Sequence, residues 1–357
     1  MPELSQIPYW LPLGVFLLSA GLVTLLAWPA EKLGWVDHPC ARKNHGHPVP
    51  LVGGVAMLVA FCVGVLLLPV KPADYQVLLL AMILLTLVGL YDDLHHIRPA
   101  FRFLFQATVV LLMGLAANTK LSSLGNLIGF GPIELGWAEW LFTLFAVIGV
   151  INAFNMIDGL DGLAGGVALI ATGWLLVLCL TAPVLASAKI GVLLVLAMAI
   201  AGFLAHNLRH PWRARASVFM GDAGSTMLGF VLACLLIRMS DHEQAIMDPI
   251  TAVWIVALPL MDTIAVMIRR MIAGHSPFAA DHKHLHHLLL GFGLSAGRVS
   301  ALLLTLAFVL GGLGVLYQWL GVPEHLRFYA FVCMAVLYYF STAWMQKKNQ
   351  LSLVNVW

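Results

Sequence analysis

Apolar runs long enough to cross a bilayer follow one another along almost the whole chain, with short polar connections between them. A segment inside hydrocarbon must satisfy its backbone N–H and C=O groups internally, so only helices or a closed barrel can span, and runs of ~20 apolar residues have the length of helices. Eleven spans are expected, near 10–28, 51–70, 77–91, 103–117, 140–157, 163–181, 187–206, 219–238, 250–268, 299–319 and 328–344, with Pro259 interrupting the ninth. Composition agrees: 61% of the 357 residues are hydrophobic, 10% are charged, and the mean hydropathy is +0.94, far from a soluble domain. The expected fold is all-α, a polytopic integral membrane protein, with residues 1–357 forming a single membrane-embedded domain. No Lys or Arg precedes the first apolar run, so that run is expected to be retained, not cleaved as a secretory signal.

Charge asymmetry sets the expected orientation, because cytoplasmic loops keep an excess of Lys and Arg. Assigning the connections alternately places every Lys and Arg on one side except Lys71, Lys120, Lys189, Arg238 and Arg327. The N-terminus is then outside and the C-terminus inside. The same alternation brings Asp92, Asp93, Asp158, Asp161, Asp222, Asp262 and Asp281 to the inner face, with every histidine except His242 and His325. Four of the five cysteines lie in apolar spans and Cys40 in an inward loop, which implies neither a disulfide framework nor a zinc site.

Four clusters carry the chemistry. Tyr91-Asp92-Asp93-Leu-His95-His96 ends the third span. Adjacent carboxylates repel unless a cation or donors sit nearby, which suits a hard divalent ion, although a solvated pair facing headgroups has the same sequence. Asn152-Ala-Phe-Asn155-Met-Ile-Asp158-Gly159-Leu160-Asp161-Gly162 joins the fifth and sixth spans. Residues three apart lie on neighbouring helix faces, so Asn155 and Asp158 can enter one cleft and the glycines admit a ligand to the backbone; helix capping by Asp158 or Asp161 is the plainer alternative. Phe219-Met-Gly221-Asp222-Ala-Gly224-Ser225 opens the eighth span, where free N–H groups favour anions and the carboxylate a cation, or where Asp222 simply caps a turn. Asp281-His282-Lys283-His284-Leu-His286-His287 lies in the longest inward loop. Its imidazoles and lysine suit a diphosphate better than zinc, for which no cysteine or metalloprotease glutamate is present; a basic loop touching anionic lipid is the alternative.

In their order along the chain these pieces, with Pro48-Val-Pro50-Leu-Val-Gly53-Gly54, resemble the polyprenyl-phosphate N-acetylhexosamine-1-phosphate transferases. These membrane enzymes move a sugar phosphate from a UDP-sugar to a lipid phosphate and release UMP. The resemblance implies Mg2+, with Mn2+ as a substitute, undecaprenyl phosphate as acceptor, membrane lipid as the setting, no nucleic acid, and the bacterial cytoplasmic (inner) membrane. It leaves a homodimer open. It implies Asp222 as metal ligand, with Asp92 and Asp93 serving the metal or acceptor activation, and Asp158 and Asp161 as further catalytic acids. Gly159, Leu160, Asp161 and Phe219 would surround uracil, Asn152, Asn155 and Asn207 would be polar positions of the cleft, and His284, His286 and His287 would line the phosphate or sugar side. His-Leu-His-His is similar to the branch that transfers N-acetylglucosamine 1-phosphate at the start of O-antigen and related polymers. The peptidoglycan branch, which takes UDP-MurNAc-pentapeptide, usually shows three consecutive histidines. His282 departs from the pattern, standing where an arginine is common. Other UDP-N-acetylhexosamines are open as donors. An ion-coupled transporter using carboxylates such as Asp262 is the alternative of another class, and it predicts polar groups near the midplane.

Overall fold

The computed structural model describes residues 7–38, 47–71, 74–95, 97–182, 187–210, 213, 215–240, 245–277 and 283–354. Asp281, His282, His96, Cys40 and the loop positions Arg42, Lys43 and His45 lie outside them. Among the described residues the structure is α-helical apart from one two-stranded ribbon, two isolated bridges and a short 3-10 turn at Gly136–Ala138. Its helices are α1 (Trp10–Lys32), α2 (Gly53–Leu67), α3 (Tyr75–His95), α4 (Pro99–Ala117), α5 (Glu139–Ile157), α6 (Leu163–Thr181), α7 (Ser187–Asn207), α8 (Gly221–Ser240), α9 (Pro249–Ile255), α10 (Ala257–Ile272), α11 (Leu285–Gly291), α12 (Ala296–Trp319) and α13 (Glu324–Val354). Strands β1 (Val36–Asp37) and β2 (Val49–Pro50) pair antiparallel between α1 and α2.

Among the described residues, nine helices are long and apolar enough to cross a membrane, or ten if the bent pair α9–α10 counts as one span. This is a multi-pass membrane protein. The second expected span, 51–70, differs: α2 has 15 residues, about 22 Å at ~1.5 Å per residue against a hydrocarbon core of ~30 Å. The count of eleven therefore does not follow from length. Prolines set both ends of α2. Pro48 and Pro50 hold the chain before it extended, and Leu68, which precedes Pro69, adopts extended backbone as the residue before a proline tends to.

The break expected at Pro259 falls at Val256, between α9 and α10, which meet at 81°. Proline has no N–H and its ring collides with the carbonyl four residues earlier. Here that residue is Ile255, the last of α9.

Helix α8 is the centre of the bundle, buried along nearly its whole length from Ala223 to Ser240. Apolar surface gains little by leaving lipid for protein, so close packing must come from small residues that let backbones meet. Gly54 lies against Gly224, Gly89 against Ala223 and Gly229 against Ile151, and a Cβ added at Gly89 would stand 2.5 Å from the Ala223 Cα. These contacts draw α2, α3 and α5 onto α8, the first two of them at its N-terminal turns.

Gly89→Ala should consequently lower the thermal midpoint of the detergent-solubilised protein, in proportion to an overpacking penalty of about 1–3 kcal/mol. Gly149→Ala, where nothing lies within 4 Å of the added Cβ, should leave the midpoint unchanged; equal effects at the two positions would contradict the packing described.

Candidate active site

The connections that lead into α2, α4, α6, α8 and α11 build the site. Residues 50–54 form the first wall. Phe219 N donates to Pro50 O at 2.9 Å, while Gly53 N and Gly54 N donate to Phe219 O and Met220 O at 3.0 and 3.2 Å. The Pro-Val-Pro-Leu-Val-Gly-Gly segment thus fixes the chain just before α8 and points Gly221 and Asp222 at the ends of α3 and α5.

Asp93 then caps α8 from another helix. Its carboxylate accepts from Asp222 N at 2.7 Å and Ala223 N at 3.3 Å, satisfying two of the N–H groups that a helix start leaves open. Gly221 must be glycine here. Its φ is +70°, and a Cβ would lie 2.3 Å from Asp93 Oδ2.

Asp92, on the same turn of α3, is buried and accepts from Ile97 N and Arg102 Nη1, both at 2.8 Å. The same guanidinium nitrogen donates to Asp222 Oδ2 at 3.1 Å, and Arg102 Nη2 reaches Asn155 Oδ1 at 3.5 Å. Asn155 Nδ2 donates to Asp222 Oδ1 at 2.7 Å and to Ser225 Oγ at 3.1 Å. Asp92, Asp222, Asn155 and Arg102 are therefore one network, and the Asp222 side chain is 37% exposed at its centre. Arg102 entered the sequence reading only as an inward charge. Its signal was local: a turn ending in Pro99 returns it, ten residues on, to Asp92.

Asp158 ends α5 and faces the same crowd. Among the described residues no donor bonds its carboxylate. Burial, then the charges of Asp222, Asp93 and Asp161, push it up to about 8 from 3.8. Asp161 is committed elsewhere, accepting from Arg209 Nε at 2.7 Å and Ala216 N at 3.0 Å. Neither residue caps α6, whose N-cap is Gly162 with φ +76°. Asn207 is buried and acts as a strut, accepting from Gly162 N and donating to Val218 O, both at 2.8 Å. Asn152 is likewise turned from the carboxylates, donating to Ile148 O at 2.7 Å and Gln106 Oε1 at 3.3 Å. Phe219 and Leu160 are half-buried and Gly159 is exposed.

The three histidines form one group, with ring centroids 5.8 Å apart for His284–His286 and 4.0 Å for His286–His287. A Cβ on Gly159 would stand 2.2 Å from His286 Nε2, so the bare backbone there lets the histidine segment meet the Asp158–Asp161 turn. Asp262 anchors that segment. Buried on α10, it meets His284 Nδ1 at 2.7 Å and accepts from Leu285 N at 2.9 Å and Tyr338 Oη at 2.8 Å. A carboxylate so bonded fixes the ring orientation of its histidine. The transporter alternative counted Asp262 among carboxylates that could bind coupling ions; the structure gives it these three partners instead. The charge alternation placed Asp262 at the inner face; its bond to His284 is what no sequence signal showed.

Among the described residues no group of three or more His, Cys, Asp or Glu side chains is arranged to hold a metal unaided. The donors still suit magnesium, which commonly takes one or two carboxylates and completes its shell with water and substrate phosphates. Asp222 is the accessible carboxylate, with Asp92, Asp93 and Asp158 around it and Arg102 as the cation of the network.

Residues 75–240 match the family model described as Glycosyl transferase family 4, a span that runs from α3 to the end of α8. The chain is 36% identical over 361 residues to a Pasteurella multocida protein, covering 95% of this chain and 97% of the relative. It is 36% identical to a Yersinia pestis relative (91% and 88%) and 34% identical to one from Escherichia coli K12 (91% and 88%). All three relatives bear the name undecaprenyl-phosphate alpha-N-acetylglucosaminyl 1-phosphate transferase. The chain belongs to this transferase family, which bears out the resemblance read from its motifs.

Between pH 4 and 8 the native protein holds a proton on Asp158 that the unfolded chain has already released, so this residue subtracts stability as pH rises through that window. Asp158→Asn should therefore raise the midpoint of metal-free protein over wild type by more at pH 8 than at pH 5. The same increment at both would contradict the raised pKa.

Proposed function

We propose that the protein transfers N-acetylglucosamine 1-phosphate from UDP-N-acetylglucosamine to undecaprenyl phosphate at the cytoplasmic face of the bacterial inner membrane, releasing UMP. The observation that carries this reading is the joining of Asp92, Asp222, Asn155 and Arg102 in one network beside Asp158 and the histidine segment. The relatives' names support the transferred N-acetylglucosamine 1-phosphate and the undecaprenyl-phosphate acceptor. His284-Leu-His286-His287 favours N-acetylglucosamine over the muramoyl-pentapeptide donor, with surface polysaccharide such as O-antigen as the destination.

The acceptor is already mostly dianionic near neutral pH, its second pKa being about 6, so the main obstacle is repulsion between two phosphate groups. An oxygen of the lipid phosphate attacks the sugar-linked phosphorus in line. The bond from that phosphorus to the bridging oxygen breaks, and the electron pair leaves with UMP. Magnesium, or manganese in its place, would be held by Asp222 with Asp158 or Asp92 nearby, and when bound supplies charge neutralisation along the diphosphate. Arg102 fixes the Asp222 carboxylate, and Asp93 fixes the turn that carries it. His286 and His287 donate toward the phosphate or sugar. Asp262 keeps His284 in one orientation and is a positioning residue. Phe219, Gly159 and Leu160 offer the uracil a half-open apolar wall.

The test is UMP release by the purified protein with both substrates and magnesium. Release should require acceptor and metal, and Asp222→Asn should lower kcat by on the order of 10²–10³-fold with folding retained. UMP release without acceptor would instead support a covalent phospho-aspartate route. A wild-type enzyme inactive with UDP-N-acetylglucosamine but active with another UDP-sugar would overturn the donor assignment. Asp262→Asn should reduce kcat by roughly 10²-fold or more while KM for the UDP-sugar changes little, and should displace the pH profile as His284 loses its fixed orientation. An unchanged pH profile would leave Asp262 a packing residue.

A further inference from the structure

Away from the carboxylate cleft, at the same end of the bundle, a recess of about 230 Å³ lies where α10, α13 and the start of the histidine segment meet. Its walls include Arg269 from the last turn of α10, Lys283 beside His284, and Lys347 near the end of α13. Tyr339, Gln346 and Ile272 complete most of the lining, and among the described residues no acidic side chain contributes. Basic residues at a helix end complement its dipole, and basic loops are common at inner membrane surfaces. Those effects do not require three cations from three separate segments to surround one hollow. At ~30 Å³ per water in the liquid, the volume admits a phosphate group with several waters.

We propose that this recess binds the phosphate of an anionic membrane phospholipid and steadies the histidine segment when filled. The chain's own bonds connect the two. Arg269 Nη1 donates to Thr342 Oγ1 at 2.6 Å and Nη2 to Lys283 O at 2.8 Å, so one guanidinium ties α10, α13 and the residue before His284 together. Tyr338, next to Tyr339 of the wall, donates to Asp262, which holds His284. A phosphate between Arg269, Lys283 and Lys347 draws these three segments inward and presses His284 and His286 toward the Asp158–Asp161 turn. Tyr339 and Ile272 give the acyl or glycerol end of the lipid an apolar exit toward the bilayer, which a free phosphate would not use.

The test is native mass spectrometry of the full-length protein in detergent with phosphatidylglycerol, phosphatidylcholine or inorganic phosphate added separately. Wild type should retain phosphatidylglycerol in preference to phosphatidylcholine, and Lys347→Gln, an exposed position outside the cleft, should weaken that retention roughly fivefold, as expected for one cation near an anionic surface. Lys32→Gln, at the end of α1, should not. Competition by millimolar inorganic phosphate as effective as by the lipid would make this a free-phosphate site and overturn the lipid assignment. Equal retention by wild type and Lys347→Gln would overturn the site itself. Retention is read without substrates, so it is independent of the transferase reading. The coupling to His284 rests on that reading, and it predicts that phosphatidylglycerol raises UMP release by wild type more than by Lys347→Gln.

Discussion

Carboxylates from α3, α5 and α8 cannot share one end of a helix bundle unless their repulsion is offset. At an effective dielectric constant of ~20, two like charges ~4 Å apart repel by roughly 4 kcal/mol. Arg102 and the N-terminus of α8 supply the offset, the first between Asp92 and Asp222, the second beneath Asp93. Both depend on backbone contacts that only small residues permit, at Gly54, Gly89 and Gly221. The compensation is partial. Asp158 is left with a raised pKa and, among the described residues, no donor on its carboxyl group, so it holds a proton that a divalent cation would displace.

The spans were legible because apolar length is read directly, and the interruption of the ninth was legible at Pro259, which breaks the helix at Val256, just ahead of it. The second span is the exception, since proline shortens α2 at both ends. Apolar length alone does not show a missing N–H. The Asp158–Asp161 turn was legible for the opposite reason, since carboxylates and glycines between two apolar runs have few other places to go.

Partnerships within the site were not legible. Asp92 and Asp93 are adjacent in sequence, yet one faces a guanidinium and the other a helix terminus, a division set by the rotation of α3 against α8. Arg102 read only as an inward charge, and Asp262 as an inner-face carboxylate with no partner named. Their roles depend on a tight turn and an 81° bend that bring distant segments together. Asn152 and Asn207 carried the right chemistry for a cleft and serve instead to hold neighbouring backbone and side chains in place.

The central claim is that Asp222, fixed by Arg102 and Asn155, is where a divalent cation and the UDP-sugar diphosphate meet. Electron paramagnetic resonance of Mn2+ with the full-length protein tests it directly. Wild type should bind one Mn2+ per chain more tightly when UDP-N-acetylglucosamine is present, and Asp222→Asn should lose that nucleotide-dependent binding. Equal nucleotide-dependent Mn2+ binding by wild type and Asp222→Asn would contradict the account.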